Sequence, residues 1–200
     1  MDDIEDIFDK KRAQVKADPT HRNWTDLLLI ALTTGVMGMP PRRSQDWTMM
    51  QIQHDNEKQS FNYLHIDGRK VWFEFNVYKT SKHHDGPQRV EAPPQLAKLI
   101  RKYLAWLEDN KETHPQVVFL SPNGGRSRFT SSTLTKRLNS LLGDGVSVSA
   151  LRSIWASEEL GDTMAEYASL KRKLEDKAED MGTSVSMLDQ VYVRGKSQKN

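Results

Sequence analysis

Histidine is the side chain most often used to bind a metal or move a proton near neutral pH, and this chain has six: His21, His54, His65, His83, His84 and His114. None falls at metal-ligand spacing. There is no His-Glu-x-x-His segment, no Gly-x-Ser-x-Gly elbow and no glycine loop ending in Lys-Ser or Lys-Thr. Cysteine is absent, which removes thiolate zinc sites, disulfides and a cysteine nucleophile, and which fits a reducing, intracellular compartment. The adjacent His83 and His84 stand beside Lys79 and Lys82, a setting better suited to phosphate than to a metal. The segment Gly124-Gly125-Arg126-Ser127-Arg128 has the composition of a loop that meets a nucleic-acid backbone, and Lys136 and Arg137 follow near a helix start. Contacts of this kind position a duplex and make binding salt-dependent without reading sequence. No metal, nucleotide or other cofactor is expected.

The elements that must position these groups begin with the distribution of charge. The formal net charge is only +2, from 29 Lys+Arg against 27 Asp+Glu, but the charges are segregated. Arg69 to Arg137 holds 13 bases and 6 acids, whereas Glu158 to Asp180 holds 8 acids and 4 bases. Met1 to Asp18 has 6 acids against 4 bases, and beyond Asp189 only Arg194, Lys196 and Lys199 are charged. This is either one DNA-facing surface backed by solvated acidic helices or ordinary solubilising charge. The 200 residues suit a single domain, with residues 1–20 as a helical lead-in and 193–200 as a basic tail. The longest apolar run, around Leu27 to Leu32, is too short to cross a bilayer, and no secretory signal opens the chain.

Periodicity predicts helices over Asp2–Ala17, from Asn23 through Ala31, and over Arg42–Ile52 with Trp47 and Met50 inward. Phe61–Ile66, the turn Asp67-Gly68 and Val71–Tyr78 read as a hairpin, with Gln88–Ala92 as a third strand after a polar loop. Helices follow at Pro94–Asn110, Ser131–Leu142, Ser149–Leu160, Thr163–Gly182 and Ser184–Tyr192, with a short strand-like run at Val117–Leu120. The expected class is α+β: a mainly helical body with a small three-stranded antiparallel sheet inserted near the middle. Trp47, Trp72, Trp106 and Trp155 read as core residues.

Four segments occur in a recognisable order. Thr34-Gly35 precedes Arg43-Ser44-Gln45-Asp46-Trp47; Tyr78-Lys79-Thr80-Ser81-Lys82 leaves the second strand; Ser149-Ala150-Leu151-Arg152 opens a helix that continues to Trp155-Ala156-Ser157; and Met181-Gly182-Thr183 stands nine residues before Tyr192. Over Trp24 to Arg194 the chain resembles the catalytic domain of the tyrosine recombinase, or phage integrase, family. Its Pro-Pro-Arg-Arg-x-x-Asp-aromatic form is similar to divergent relatives in large DNA viruses and eukaryotic mobile elements. Ser149 stands where that family usually has His or Lys, and Thr183 where it has His or Trp. Arg42 competes with Arg43 for the first position, and Lys82 with Lys79 for the second.

The resemblance implies DNA strand cleavage and rejoining through a 3′-phosphotyrosyl intermediate on Tyr192, in integration or recombination of mobile or viral DNA. Arg43 and Arg152 would clamp the non-bridging phosphate oxygens, since guanidinium stays charged and presents a planar fork of donors. Lys79 would protonate the leaving 5′ oxygen. Ser149 and Thr183 can donate hydrogen bonds but are poor bases. Arg42, Lys82, His83, His84, Arg126, Arg128, Lys136 and Arg137 would contact DNA. The implied partner is double-stranded DNA, with a monomer in isolation and a tetramer on DNA. The setting would be a prokaryotic cytoplasm, a nucleus or a viral factory. The family's separate N-terminal clamping domain is not expected in this chain. Two alternatives stay open: a degenerate DNA-binding domain that does not cut, and a type IB topoisomerase. If the resemblance holds, Arg43, Lys79, Arg152 and Tyr192 converge on one phosphate-sized space.

Overall fold

The computed structural model describes residues 2–52, 60–81, 86–110, 119–122 and 127–188. The chain forms two compact units, Met1–Trp155 and Ala156–Asn200. The first is built around helix α2 (His21–Thr33), in which every residue from Asn23 to Thr33 is buried. A run as apolar as Leu27-Leu28-Leu29-Ile30-Ala31-Leu32 has no face to offer water, so it must be covered on all sides. Helices α1 (Asp2–Ala17), α4 (Pro94–Asp109) and α5 (Ser131–Leu142) pack against it. Each of these three is one-sided: α1 buries Phe8 and Val15, α4 buries Leu96, Leu99, Ile100, Tyr103 and Leu107, and α5 buries Leu134 and Leu138.

The start of α2 is fixed by Thr20, whose hydroxyl accepts the Asn23 N–H, and α5 begins in a reciprocal capping box between Thr130 and Thr133. A five-residue helix, α3 (Ser44–Thr48), follows the Gly/Met/Pro loop after α2 and carries Trp47 into the core.

The sheet is a correction to the sequence reading. It has four strands in the order β1 (Met50–Ile52), β2 (Asn62–Asp67), β3 (Lys70–Phe75) and β4 (Gln88–Glu91), and β1 runs parallel to β2 while the other pairs are antiparallel. Met50 to Ile52 was expected to extend a helix because Trp47 and Met50, three apart, suit a helical face. Three residues are too few to display strand alternation, and their pairing partner, Asn62 to Leu64, lies ten residues away. Leu64, Val71, Phe73 and Phe75 turn to the core, where Trp47 meets Phe73 and Phe75 edge-on at centroid distances of 5.3 and 5.8 Å. The opposite face carries His65 stacked on Trp72 (5.0 Å) with the Arg89 guanidinium over the same indole (4.3 Å). Phe119 and Leu120 are buried but not in a strand; Val117 and Val118 lie outside the described residues.

A second difference concerns the last helices. Ser149–Leu160 and Thr163–Gly182 were expected as separate elements broken at Gly161-Asp162; they form one 33-residue helix, α6 (Val148–Asp180). A lone glycine costs a helix only about 1 kcal/mol relative to alanine, which strong helix formers on both sides offset. In the second unit α6 ends at Gly182 (φ +63°): the Gly182 N–H donates to Glu179 O (2.9 Å) and the Thr183 N–H to Ala178 O (2.8 Å). That pair of bonds is a Schellman turn, which explains why glycine precedes Thr183. Ser184 then caps the short α7 (Val185–Met187). Among the described residues no helix is long and apolar enough to cross a membrane.

Candidate functional site

Within the first unit, a cleft of ≈ 440 Å³ is lined by Met39, Pro40 and Pro41, by Arg42, Arg43 and Asp46, by Tyr78, Lys79 and Thr80, by Gln88 and Val90, and by Arg152. Arg43, Lys79 and Arg152, separated by up to 109 positions in the chain, thus share one wall space. Its size falls within the range of about 300–1,000 Å³ usual for ligand clefts. Asp46 is the one acid on this lining, so the cleft is cationic.

The two neighbouring arginines are used differently. Arg42 donates from Nε to Asp46 Oδ2 (2.8 Å) and from a terminal nitrogen to Gln88 Oε1 (2.9 Å), and its guanidinium sits 3.7 Å from the centre of the Phe75 ring. It ties α3 to β3 and β4. Arg43 precedes the first turn of α3, is exposed, and has no side-chain partner among the described residues. Lys79, exposed at the turn after β3, has none either. Arg152 donates from Nε to Pro41 O (3.2 Å), which steadies the guanidinium while leaving its terminal nitrogens for a ligand.

Two further residues hold this frame, of which the sequence had marked only Gly35. Asn62 is fully buried: its amide nitrogen donates to Asp46 O (2.9 Å) and Val77 O (3.1 Å), and its Oδ1 accepts the Val77 N–H (2.7 Å). One side chain thereby joins the helix after Arg43 to the strand exit before Lys79. Gly35, at the end of α2, has φ +87°, and a Cβ there would lie 2.3 Å from Trp155 Cδ1. Trp155 is one turn beyond Arg152, so this approach also seats the start of α6 over the loop that carries Arg43. Gly35→Ala combines a left-handed backbone with overpacking and is expected to cost about 2–3 kcal/mol. Chemical denaturation would read this as a lower midpoint with an unchanged slope; an unaltered midpoint would show that Trp155 yields freely.

Burial of Asp46 pushes its carboxyl above the ordinary value of 3.8, and the opposing pull of Arg42, then Arg43 and Arg152, does not cancel the desolvation. Oδ1 is buried without a hydrogen-bond partner. The folded state therefore keeps this proton to higher pH than the unfolded state. The stability contributed by Asp46 is greatest below the unfolded pKa and is lost as pH rises through the folded pKa. Asp46→Asn removes that slope, so its stability relative to wild type should rise as pH is raised from below 3.8 toward neutrality. Urea unfolding across that range measures it, and a difference independent of pH would contradict the assignment.

The other expected contacts divide. Arg137 is committed to a buried carboxylate, with Nε and a terminal nitrogen each 2.6 Å from Asp26 oxygens, an arrangement that leaves little for a phosphate. Arg128 lies over the Phe61 ring at 4.1 Å, and partial burial lowers its pKa from the usual arginine value. Lys136 is exposed. Ser149 is exposed one turn before Arg152 on α6 but does not line the cleft. Thr183 is half-buried in the second unit. Lys82, His83, His84, Arg126 and Tyr192 lie outside the described residues. Sequence could have suggested the Arg42–Asp46 pair from its four-residue spacing, whereas the roles of Asn62, Gln88 and Gly35 depend on partners remote in the chain. No family model matches this chain, and no curated protein or solved structure shows significant similarity to it.

Proposed function

We propose that this protein binds double-stranded DNA and cleaves and rejoins one strand through a phosphotyrosyl intermediate. The observation that supports the reading most is the shared cleft of Arg43, Lys79 and Arg152, three cations that form no salt bridge among the described residues. Two guanidiniums on the non-bridging oxygens would stabilise the charge that grows as phosphorus becomes five-coordinate. The Tyr192 phenol gives up its proton to water as its oxygen bonds to phosphorus, the bond to the 5′ oxygen breaks, and Lys79 delivers the proton that this oxygen needs. The resulting ester keeps the energy for the reverse attack by the free 5′ hydroxyl, so no nucleotide is consumed. Tyr192 enters through its spacing from Gly182, and Ser149 and Thr183 are assigned supporting hydrogen bonds to the phosphate on the resemblance alone.

A duplex nicked so that the short cleaved product diffuses away tests this. Wild type should accumulate a covalent protein–DNA adduct, and Tyr192→Phe should form none while binding the same duplex with similar affinity. If wild type binds but yields no adduct, the protein is a DNA-binding module of the same shape. Relaxation of supercoiled plasmid by the protein alone would instead favour a topoisomerase.

A further inference from the structure

The second unit exposes an apolar stripe. Leu160, Met164, Tyr167, Leu170 and Leu174 on α6 are 44–59% exposed, an unusual state for five large apolar side chains on one helix. At ~100° per residue all five point within about 60° of the Tyr167 direction. The stripe is also symmetric along the helix: Met164 and Leu170 stand three residues to either side of Tyr167, and Leu160 and Leu174 seven. A pattern that reads the same from both ends is self-complementary under a two-fold axis that reverses the helix direction, as an isologous contact requires.

Charge selects between the two possible orientations. Between Trp155 and Tyr167 the helix carries Glu158, Glu159, Asp162 and Glu166 with no base; after Tyr167 come Lys171, Arg172, Lys173 and Lys177 with Glu175, Asp176, Glu179 and Asp180. A parallel pair would set the four acids of one copy against the four of the other, within the Debye length of roughly 8–10 Å. An antiparallel pair sets them against the charge-balanced half that holds all four bases, with Asp162 opposite Arg172. Glu175 and Asp176 fall opposite Glu158 and Glu159 in this register, although Glu175 is already 3.7 Å from Lys171. The balance still favours the antiparallel arrangement.

We propose that a second copy of this chain covers the stripe, forming an antiparallel two-helix contact centred on Tyr167. It forms without DNA, which departs from the monomer expected from the sequence, and it stands independently of the cleft and its chemistry. The contact spans about 21 Å of helix at ~1.5 Å per residue. That is below a standard interface, so the dissociation constant should be on the order of 10 µM.

Sedimentation equilibrium of the full chain without DNA should give a monomer–dimer equilibrium, and Tyr167→Glu should weaken it at least ~10-fold with helix content by circular dichroism unchanged. Because the chain has no cysteine, single cysteines report the geometry cleanly. Tyr167→Cys should cross-link to its own copy under mild oxidation, Leu160→Cys alone should not, and a mixture of Leu160→Cys with Leu174→Cys should link as a heterodimer. A monomer up to about 100 µM, a dimer indifferent to Tyr167→Glu, self-linking of Leu160→Cys, or binding to anionic vesicles in place of dimer formation would each overturn the proposal.

Discussion

Replacing Arg152 by alanine should slow covalent adduct formation on a nicked duplex by about 100- to 1,000-fold, the loss typical of removing one preorganised donor to a transition-state oxyanion. The side chain is steadied on one edge by Pro41 O and lines the cleft, so under the proposed function its guanidinium is oriented before a phosphate binds. DNA affinity should fall far less than the rate, since a single phosphate contact contributes little to the whole electrostatic term. Arg43→Lys should behave similarly, because an ammonium keeps the charge but loses the planar fork. Arg42→Ala should behave differently. It strips the buried Asp46 of its direct partner and the Phe75 ring of its stacked cation, so its first symptom should be a lower melting temperature. If Arg42→Ala abolishes cleavage with unchanged stability while Arg43→Ala is silent, the two arginines have been assigned in the wrong order.

Asp26→Ala should be the most destabilising single change outside the cleft, by about 3–5 kcal/mol, because it leaves a partly buried guanidinium without its counter-ion. Asp26 is 1% exposed, accepts two 2.6 Å bonds from Arg137, and lies 3.3 Å from Lys11 Nζ. These three residues come from α2, α5 and α1, so one carboxylate knits together the helices around the central helix. A loss of that size corresponds to a fall of about 10 °C in melting temperature for a chain of this length. A double-mutant cycle with Arg137→Ala separates the pair from the rest: the second substitution should add little once the first is made. Additive losses would mean that Arg137 acts elsewhere, including on DNA as its position in the sequence suggested.

What was legible in the chain followed from local periodicity. The buried face of α4, the extent of α5, and the hairpin of β2 and β3 are each written within about fifteen residues, where side-chain spacing and turn chemistry dictate backbone form. The strand Met50–Ile52 was not, because its identity comes from pairing with β2 and from the Phe119 N–H that donates to Met50 O (3.1 Å). The unbroken α6 was missed for the opposite reason: Gly161 is a local stop signal that the residues around it outweigh.

Sequence by itself determined the α+β class and the segregation of charge, and it named a short list of arginines, lysines and a tyrosine as candidates for phosphodiester chemistry. It left Arg42 and Arg43 as near equals and placed Arg137 among the DNA contacts. Tertiary structure alone decided that Arg42 is consumed by Asp46, Gln88 and Phe75, that Arg137 is consumed by Asp26, and that Arg43, Lys79 and Arg152 line one cleft. The physical reason is that a charge is available to a ligand only when no partner within the protein already holds it, and those partners lie 4, 46 and 111 residues away.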